Sequence, residues 1–318
     1  MEKKPLIILT GPTAVGKTDT SIALAKAIGG EIISADSIQV YRYMDIGSAK
    51  ITKEEMKGIP HFLIDILDPA EEFNVVCFQK LAHQSMEEIY NRGHIPIITG
   101  GTGFYIQSVL YHIEFDENKT DDLYRKELET YAKTYGAAAL QEQLFQVDPE
   151  SAKQIHANNI KRVIRALEYY HQTQKPISKH NQEQQKKESP YRFVYFVLNR
   201  EREKLYQRIH LRVDQMIKQG FVEEVASLLE KGYSRDLTSM QGLGYKEIAA
   251  SLEGEISLEE AIEKIKTNTR HFAKRQLTWF RREKDVTWVE MEQYQSKQEI
   301  CHHLFTVLKE HHILENFR

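Results

Sequence analysis

Residues Gly11-Pro12-Thr13-Ala14-Val15-Gly16-Lys17-Thr18 form a Gly-x-x-x-x-Gly-Lys-Thr segment, and these residue types at this spacing bind phosphate. Gly11 and Gly16 let the backbone curl so that successive N–H groups, those of Thr13, Ala14 and Val15 among them, point into one concavity. A helix starting near Lys17 adds the positive end of its dipole. Lys17 would place an ammonium on the outer phosphates, and the Thr18 hydroxyl is the usual protein ligand of a phosphate-bound Mg²⁺. The motif names a phosphate and leaves the reaction open.

Two further groups stand where strand ends should bring them to the same place. Asp36 follows the apolar run Glu31-Ile32-Ile33-Ser34, and Thr102 is the one polar side chain of Gly100-Gly101-Thr102-Gly103, which follows Ile95-Pro96-Ile97-Ile98-Thr99. In open α/β sheets ligands sit beyond the carboxyl ends of the strands. Asp36 would be a proton acceptor there, or Asp36 or Ser37 would merely cap a helix. The glycines would admit backbone close to a ligand, or would only turn the chain. A second acid, Asp65 after His61-Phe62-Leu63-Ile64, could lie on a Mg²⁺ side; the favoured reading is a strand followed by a turn at Asp68-Pro69.

The elements that must position these groups alternate strand and helix. Leu6 to Leu9 is a buried strand, Ile22, Ala25 and Ile28 mark a helical face stopped by Gly29-Gly30, and Val75 to Tyr90 is a second long helix. From Asp116 the pattern turns helical and polar, with helices expected over Asp121–Tyr135, Ala137–Gln146 and Ile160–Tyr170 and an exposed connector over His171–Pro190. Tyr191 to Leu198 returns to the sheet, and the next helix carries Leu205, Ile209, Val213 and Met216 with Arg208 and Arg212 along its flank. Those arginines would neutralise a phosphate, or pair with Glu201 or Glu203 at the surface. The fold class is therefore α/β: a P-loop parallel sheet flanked by helices, residues 1–115 and 188–318, with an all-helical insertion over 116–187.

Bulk properties bound the partners. The chain has 318 residues, 43 Lys or Arg against 46 Asp or Glu and a net charge of −3, so the total charge points to no polyanion. Its distribution does: between Lys264 and Lys284 stand eight Lys or Arg against the single acid Glu283, interleaved with Phe272, Trp279 and Phe280. Basic groups for phosphates and rings for stacking suit single-stranded nucleic acid. Lys161, Arg162 and Arg165 offer a smaller basic face, equally a solvated one, with Val163, Ile164 and Leu167 turned inward. Cys77 and Cys301 stand too far apart to suggest a disulfide framework or a zinc site, the apolar run behind Pro5 is too short for a signal segment, and nothing approaches a membrane span. A soluble, monomeric cytoplasmic protein is expected.

Five blocks then meet in one order: the P-loop; Ser34-Ala35-Asp36-Ser37-Ile38-Gln39-Val40-Tyr41; Gly58-Ile59-Pro60-His61; Gly100 to Tyr105; and Arg275-Gln276-Leu277-Thr278-Trp279-Phe280-Arg281-Arg282. In these the chain resembles the tRNA dimethylallyltransferases (tRNA isopentenyltransferases) over nearly its whole length. The resemblance implies transfer of a dimethylallyl group from dimethylallyl diphosphate to N6 of the adenosine 3′ of the anticodon in tRNAs reading codons that begin with U, with Mg²⁺. The P-loop residues, with Arg208 or Arg212, would grip the diphosphate; Asp36 would act as base and Thr102 would orient the amine. Contact with the tRNA anticodon stem-loop is assigned to Asp36, Ser37, Ile38 and Gln39, to Ile160 through Arg165, to Gly242, Gly244 and Tyr245, and to Arg275, Gln276, Trp279 and Arg282. Ser48 stands where the family usually has Thr, and Phe62 where it has a second His. The rival readings are a small-molecule or nucleotide kinase, a prenyltransferase acting on free adenine nucleotides, and a P-loop switch.

Overall fold

The computed structural model describes residues 3–115 and 122–315. Asp116 and Asp121, the expected starts of the insertion and of its first helix, lie outside the described residues. One compact unit comprises residues 1–110 and 190–318, and a second comprises 111–189.

The larger unit is built on β1 (Pro5–Thr10), α1 (Lys17–Ile28), β2 (Glu31–Ala35), α2 (Lys53–Met56), β3 (His61–Phe62), α3 (Val75–Asn91), β4 (Pro96–Gly100) and α4 (Gly103–Leu110). Its six strands, with β5 (Arg192–Asn199) and β6 (Val286–Glu290) supplied by the later part of the chain, are all parallel, in the order β3-β2-β4-β1-β5-β6. Every residue of β1 is buried, as a strand covered on both faces must be. Burying Leu6, Ile7, Ile8 and Leu9 contributes about 1.5–3 kcal/mol each, which fixes the strand that carries the P-loop. β1 pairs with β4 (Leu9 opposite Thr99, Thr10 opposite Gly100), and β4 pairs with β2 (Ala35 opposite Gly100). The ends of these three strands are thereby neighbours.

The second unit holds α5 (Asp122–Tyr135), α6 (Ala137–Val147), α7 (Pro149–Gln154), α8 (Ile160–Thr173) and α9 (Ile177–Gln185), closed on a core of Leu128, Leu140, Leu144, Val163, Ile164 and Leu167. The expected connector over His171–Pro190 is corrected: α8 runs on to Thr173, and α9 starts after Pro176. Asp148 binds the N–H and hydroxyl of Ser178 and pins α9, a contact across 30 residues that composition does not carry.

The chain re-enters the larger unit through β5 (Arg192–Asn199), α10 (Arg202–Lys218), α11 (Phe221–Glu230), α12 (Tyr245–Leu252), α13 (Leu258–Phe280), β6 (Val286–Glu290) and α14 (Lys297–Glu310). Of these, α11, β6 and α14 were not anticipated, although Val286-Thr287-Trp288-Val289 carries a strand signal. No helix among the described residues is long and apolar enough to cross a membrane.

Candidate active site

The P-loop bends as its glycines require. Gly11 has φ 149°, and a Cβ there would stand 2.4 Å from the Leu198 carbonyl oxygen of the neighbouring strand; Gly16, with φ 113°, caps α1. Cations turn the loop's carbonyls outward. Arg208 Nε donates to Ala14 O at 2.8 Å, and Arg200 Nε donates to Val15 O at 2.9 Å while its guanidinium pairs with Glu292. Gln276 holds the loop from above, accepting from Thr13 N at 2.9 Å and donating to Gly101 O at 3.0 Å. Arg200, absent from the residues expected at the site, thus braces the P-loop, and its place just past the end of β5 is the same signal that singles out Asp36.

Lys17 lies at the bottom of this loop, its ammonium folded onto the carbonyls of Gly11 (3.0 Å) and Pro12 (2.9 Å). Burial, and then the positive charge of Arg212, bring its pKa down to about 7, against the upward pull of Asp36. Arg212 is lowered by burial and held up by Asp36. Lys17, Arg212 and Asp36 therefore share one electrostatic neighbourhood. Arg208 and Arg212 do not pair with Glu201 or Glu203 among the described contacts; Glu201 pairs with Lys204.

Asp36 both shapes its turn and faces the site. Its Oδ1 accepts from Ile38 N (2.9 Å) and Gln39 N (3.2 Å), whereas no hydrogen bond to Oδ2 is made among the described residues. Ala35 O, one residue earlier, accepts from Thr102 N at 3.3 Å, so Asp36 and Thr102 are brought together by backbone. The Thr102 hydroxyl is uncommitted within the described residues. The carboxylate of Asp65 pairs with Lys50, and the chain turns at Asp68-Pro69, where Ala70 N donates to Asp68 Oδ1 and Glu71 N to Asp68 O, as the strand-and-turn reading expects.

For a divalent cation the fit rests on Thr18, which is exposed at the first turn of α1 with its hydroxyl free of hydrogen bonds among the described residues. No group of three or more His, Cys, Asp or Glu among the described residues could hold a metal. A cation here would complete its oxygen shell from phosphate and water, as Mg²⁺ commonly does.

The residues assigned to nucleic acid divide by burial. On α13 Lys264, Lys274 and Arg275 are exposed, as are Arg281, Arg282 and Lys284 just beyond its end, and Glu283, the one acid of the run, is pushed up to about 7 by burial. The expectation of three stacking rings is corrected at Phe280, which is wholly buried; Trp279 is half-buried, packed where a Cβ at Gly103 would come within 2.2 Å of its ring, and Phe272 is exposed with Arg275 over it. Gln276 is committed to the P-loop clamp. Tyr245 is fully buried and donates to Glu224 at 2.7 Å, a packing position that offers tRNA no ring. Gly242 and Gly244 belong to the adjoining loop, where a Cβ at Gly242 would lie 3.2 Å from Ile38. Ser37, Ile38 and Gln39 are partly buried beside Asp36. In the helical unit Lys161, Arg162 and Arg165 are exposed on α8, Ile160 is half-buried, and Val163 and Ile164 are core residues, their side chains unavailable to a ligand.

The Lys17 environment fixes a pH dependence. In the unfolded chain this lysine keeps its proton to about 10.5; in the folded protein it loses it from about 7 upward. Between those values the unfolded state binds more protons, so Lys17 alone makes stability rise with pH, while the unliganded site loses a cation. Diphosphate binding should accordingly weaken by up to about tenfold per pH unit above 7, with uptake of about one proton at pH 8. Calorimetry of inorganic diphosphate binding in buffers of different ionisation enthalpy reads this directly. Lys17→Arg should abolish the slope.

Comparison with known proteins fits this geometry. A family model described as IPP transferase matches residues 39–283, and one described as isopentenyl transferase matches residues 4–72. The tRNA dimethylallyltransferase of Lachnoclostridium phytofermentans is 60% identical over 312 residues, covering 98% of this chain and 100% of that protein. Its counterpart from Thermoanaerobacter sp. is 50% identical over 297 residues, covering 93% and 94%. Among solved structures, the full-length tRNA isopentenylpyrophosphate transferase of Bacillus halodurans is 45% identical with a TM-score of 0.72 over 99% of both chains. A eukaryotic dimethylallyltransferase acting on tRNA is 30% identical with a TM-score of 0.82, covering 96% of this chain and 80% of that one. With the family model spanning most of the sequence and relatives this similar along its length, the chain belongs to the tRNA dimethylallyltransferase family.

Proposed function

We propose that this protein transfers a dimethylallyl group from dimethylallyl diphosphate to N6 of the adenosine 3′ of the anticodon in tRNAs reading codons that begin with U, releasing diphosphate. The observation that carries the reading is the single electrostatic neighbourhood of Lys17, Arg212 and Asp36 at adjoining strand ends. One side is built to neutralise a leaving phosphate group, the other to take up a proton.

The allylic C–O bond breaks toward the diphosphate, which the P-loop amides, Lys17 and Arg212 stabilise as charge develops. A bond forms between the allylic carbon and N6, and the N6 proton passes to Asp36. The amine is a weak nucleophile because its lone pair is delocalised into the ring, so a base beside it matters. Thr102, whose N–H donates to Ala35 O, would orient it. Mg²⁺ held by Thr18 and the diphosphate would add Lewis-acid neutralisation of the leaving group. The reacting adenosine must leave its stack to enter such a crevice. The exposed bases of α13 supply phosphate contacts within the larger unit, and Lys161, Arg162 and Arg165 do so in the helical unit. The residue ranges 1–115 with 188–318 and 116–187 accordingly divide into a catalytic core and a tRNA-contacting insertion, in a protein read as a cytoplasmic monomer.

A kinase would share the P-loop but gains no support from prenyltransferase relatives, and a free-nucleotide prenyltransferase has no use for the basic run on α13. Incubation with dimethylallyl diphosphate, Mg²⁺ and unmodified tRNA, followed by nucleoside mass spectrometry, should reveal a prenylated adenosine in the anticodon loop. Prenylation of AMP with none of tRNA would overturn the substrate, and ATP-dependent phosphorylation without prenylation would overturn the reaction.

A further inference from the structure

Glu224, on the first turn of α11, makes more hydrogen bonds than a surface helix needs. Its Oε2 accepts from the backbone N–H groups of Asp45 (2.9 Å) and Ile46 (2.7 Å), and its Oε1 accepts from Gly47 N (3.1 Å) and the Tyr245 hydroxyl (2.7 Å). The fit is close: a Cβ at Gly47 would stand 2.1 Å from the Phe221 ring and 2.7 Å from that of Tyr245. One carboxylate thus gathers three successive amides of the loop after Met44 and seats them on two buried rings. Burial, and then the charge of Glu224, push the Tyr245 phenol well above its ordinary value, so it remains a donor.

The loop does not end there. The next two carbonyls, Ser48 O and Ala49 O, each accept from Gln39 Nε2 at 3.3 Å, while Gln39 Oε1 accepts from Ser34 Oγ at 3.2 Å. The backbone N–H of Gln39 in turn donates to Asp36 Oδ1. A continuous path of hydrogen bonds and adjacent backbone therefore runs from Glu224 through residues 45–49 and Gln39 to the carboxylate assigned as base. The opposite flank of the segment is tied by Asp65 N to Gln39 O and by Ile66 N to Val40 O.

We propose that Glu224 is a positioning residue for the transfer reaction, acting through the 45–49 loop and Gln39 to aim the Asp36 carboxylate. The proposal rests on the reading of Asp36 as base, and on nothing in the diphosphate site. Charge-assisted hydrogen bonds from a fixed carboxylate are stronger than neutral ones, so Glu224 holds the loop in a way a neutral amide, which turns an N–H₂ toward backbone donors, cannot. Displacement of a reacting group by about 1 Å can cost about 10²-fold in rate.

The test compares Glu224→Gln, Gln39→Ala, the double variant and Asp36→Asn. Glu224→Gln should lower kcat by about 10- to 100-fold while inorganic diphosphate binds within about twofold of the unaltered protein, because the P-loop is held by other residues. Gln39→Ala should act on the same path, so the double variant should be no slower than the worse single one. Independent, multiplying losses would overturn the relay, as would unchanged kcat or a parallel loss of diphosphate affinity in folded Glu224→Gln. Wild-type turnover in Asp36→Asn would overturn the base reading instead. Should Glu224→Gln not fold, Tyr245→Phe removes one of the four bonds and keeps the ring; a several-fold fall in kcat supports the proposal, and unchanged kcat overturns it.

Discussion

Asp36→Asn should lower kcat by about 10²–10⁴-fold, the range that a positioned general base contributes. The substitution isolates chemistry from folding. An Asn Oδ1 accepts from Ile38 N and Gln39 N as the aspartate does, since Asx turns need only a side-chain oxygen, so the turn and its neighbours persist. What disappears is the negative charge and the basic oxygen. Affinity for tRNA should stay within about threefold, measured by filter binding at fixed salt. A second signature follows from the charge it removes: Asp36 pulls Lys17 upward, so the variant's Lys17 should titrate lower and its diphosphate binding should weaken from a lower pH. A large loss of tRNA affinity with little change in kcat would make Asp36 a binding residue instead.

Lys17→Ala should lower kcat by about 10²–10³-fold, the effect of deleting one preorganised group that meets developing negative charge, and should weaken diphosphate binding. The loop itself should survive. Thr13 remains held by Gln276, Ala14 by Arg208 and Val15 by Arg200, and none of these bonds involves the lysine. Loss of prenylated adenosine by mass spectrometry, in a variant whose thermal stability is no lower than that of the unaltered protein because a buried, desolvated cation has been removed, is the expected result. Retained turnover would shift the burden of neutralisation to Arg212.

Much of this site could be read before any coordinates, because its parts obey local rules. Gly11 and Gly16 are dictated by the backbone angles of one loop, and Asp36 and Thr102 follow from the rule that ligands lie beyond strand ends. What escaped reading is tertiary. Gln276 looks like one polar residue in a basic helix, and only the approach of α13 to Gly101 makes it a clamp on the P-loop. Glu224 reads as helix surface until residues 45–47 arrive 177 or more positions away in sequence. Phe280 differs, because Ala273, Gln276 and Phe280 share a helical face at spacings of three and four, and that periodicity points to the interior despite the charge around them.

The strand order also governs how the protein can be made. β1 pairs with β4 through Ile7 and Ile97, and with β5 through Ile7 and Val194. On a ribosome the first strand therefore emerges long before its second partner, and the whole helical unit of residues 111–189 is synthesised in between. Until β5 appears, a largely apolar strand has one open edge, the kind of surface that chaperones hold and that aggregates when left alone. The helical unit, whose contacts are local, can fold during that wait. The nascent chain thus completes its earliest strand late, and slowing translation before β5 should lengthen chaperone occupancy.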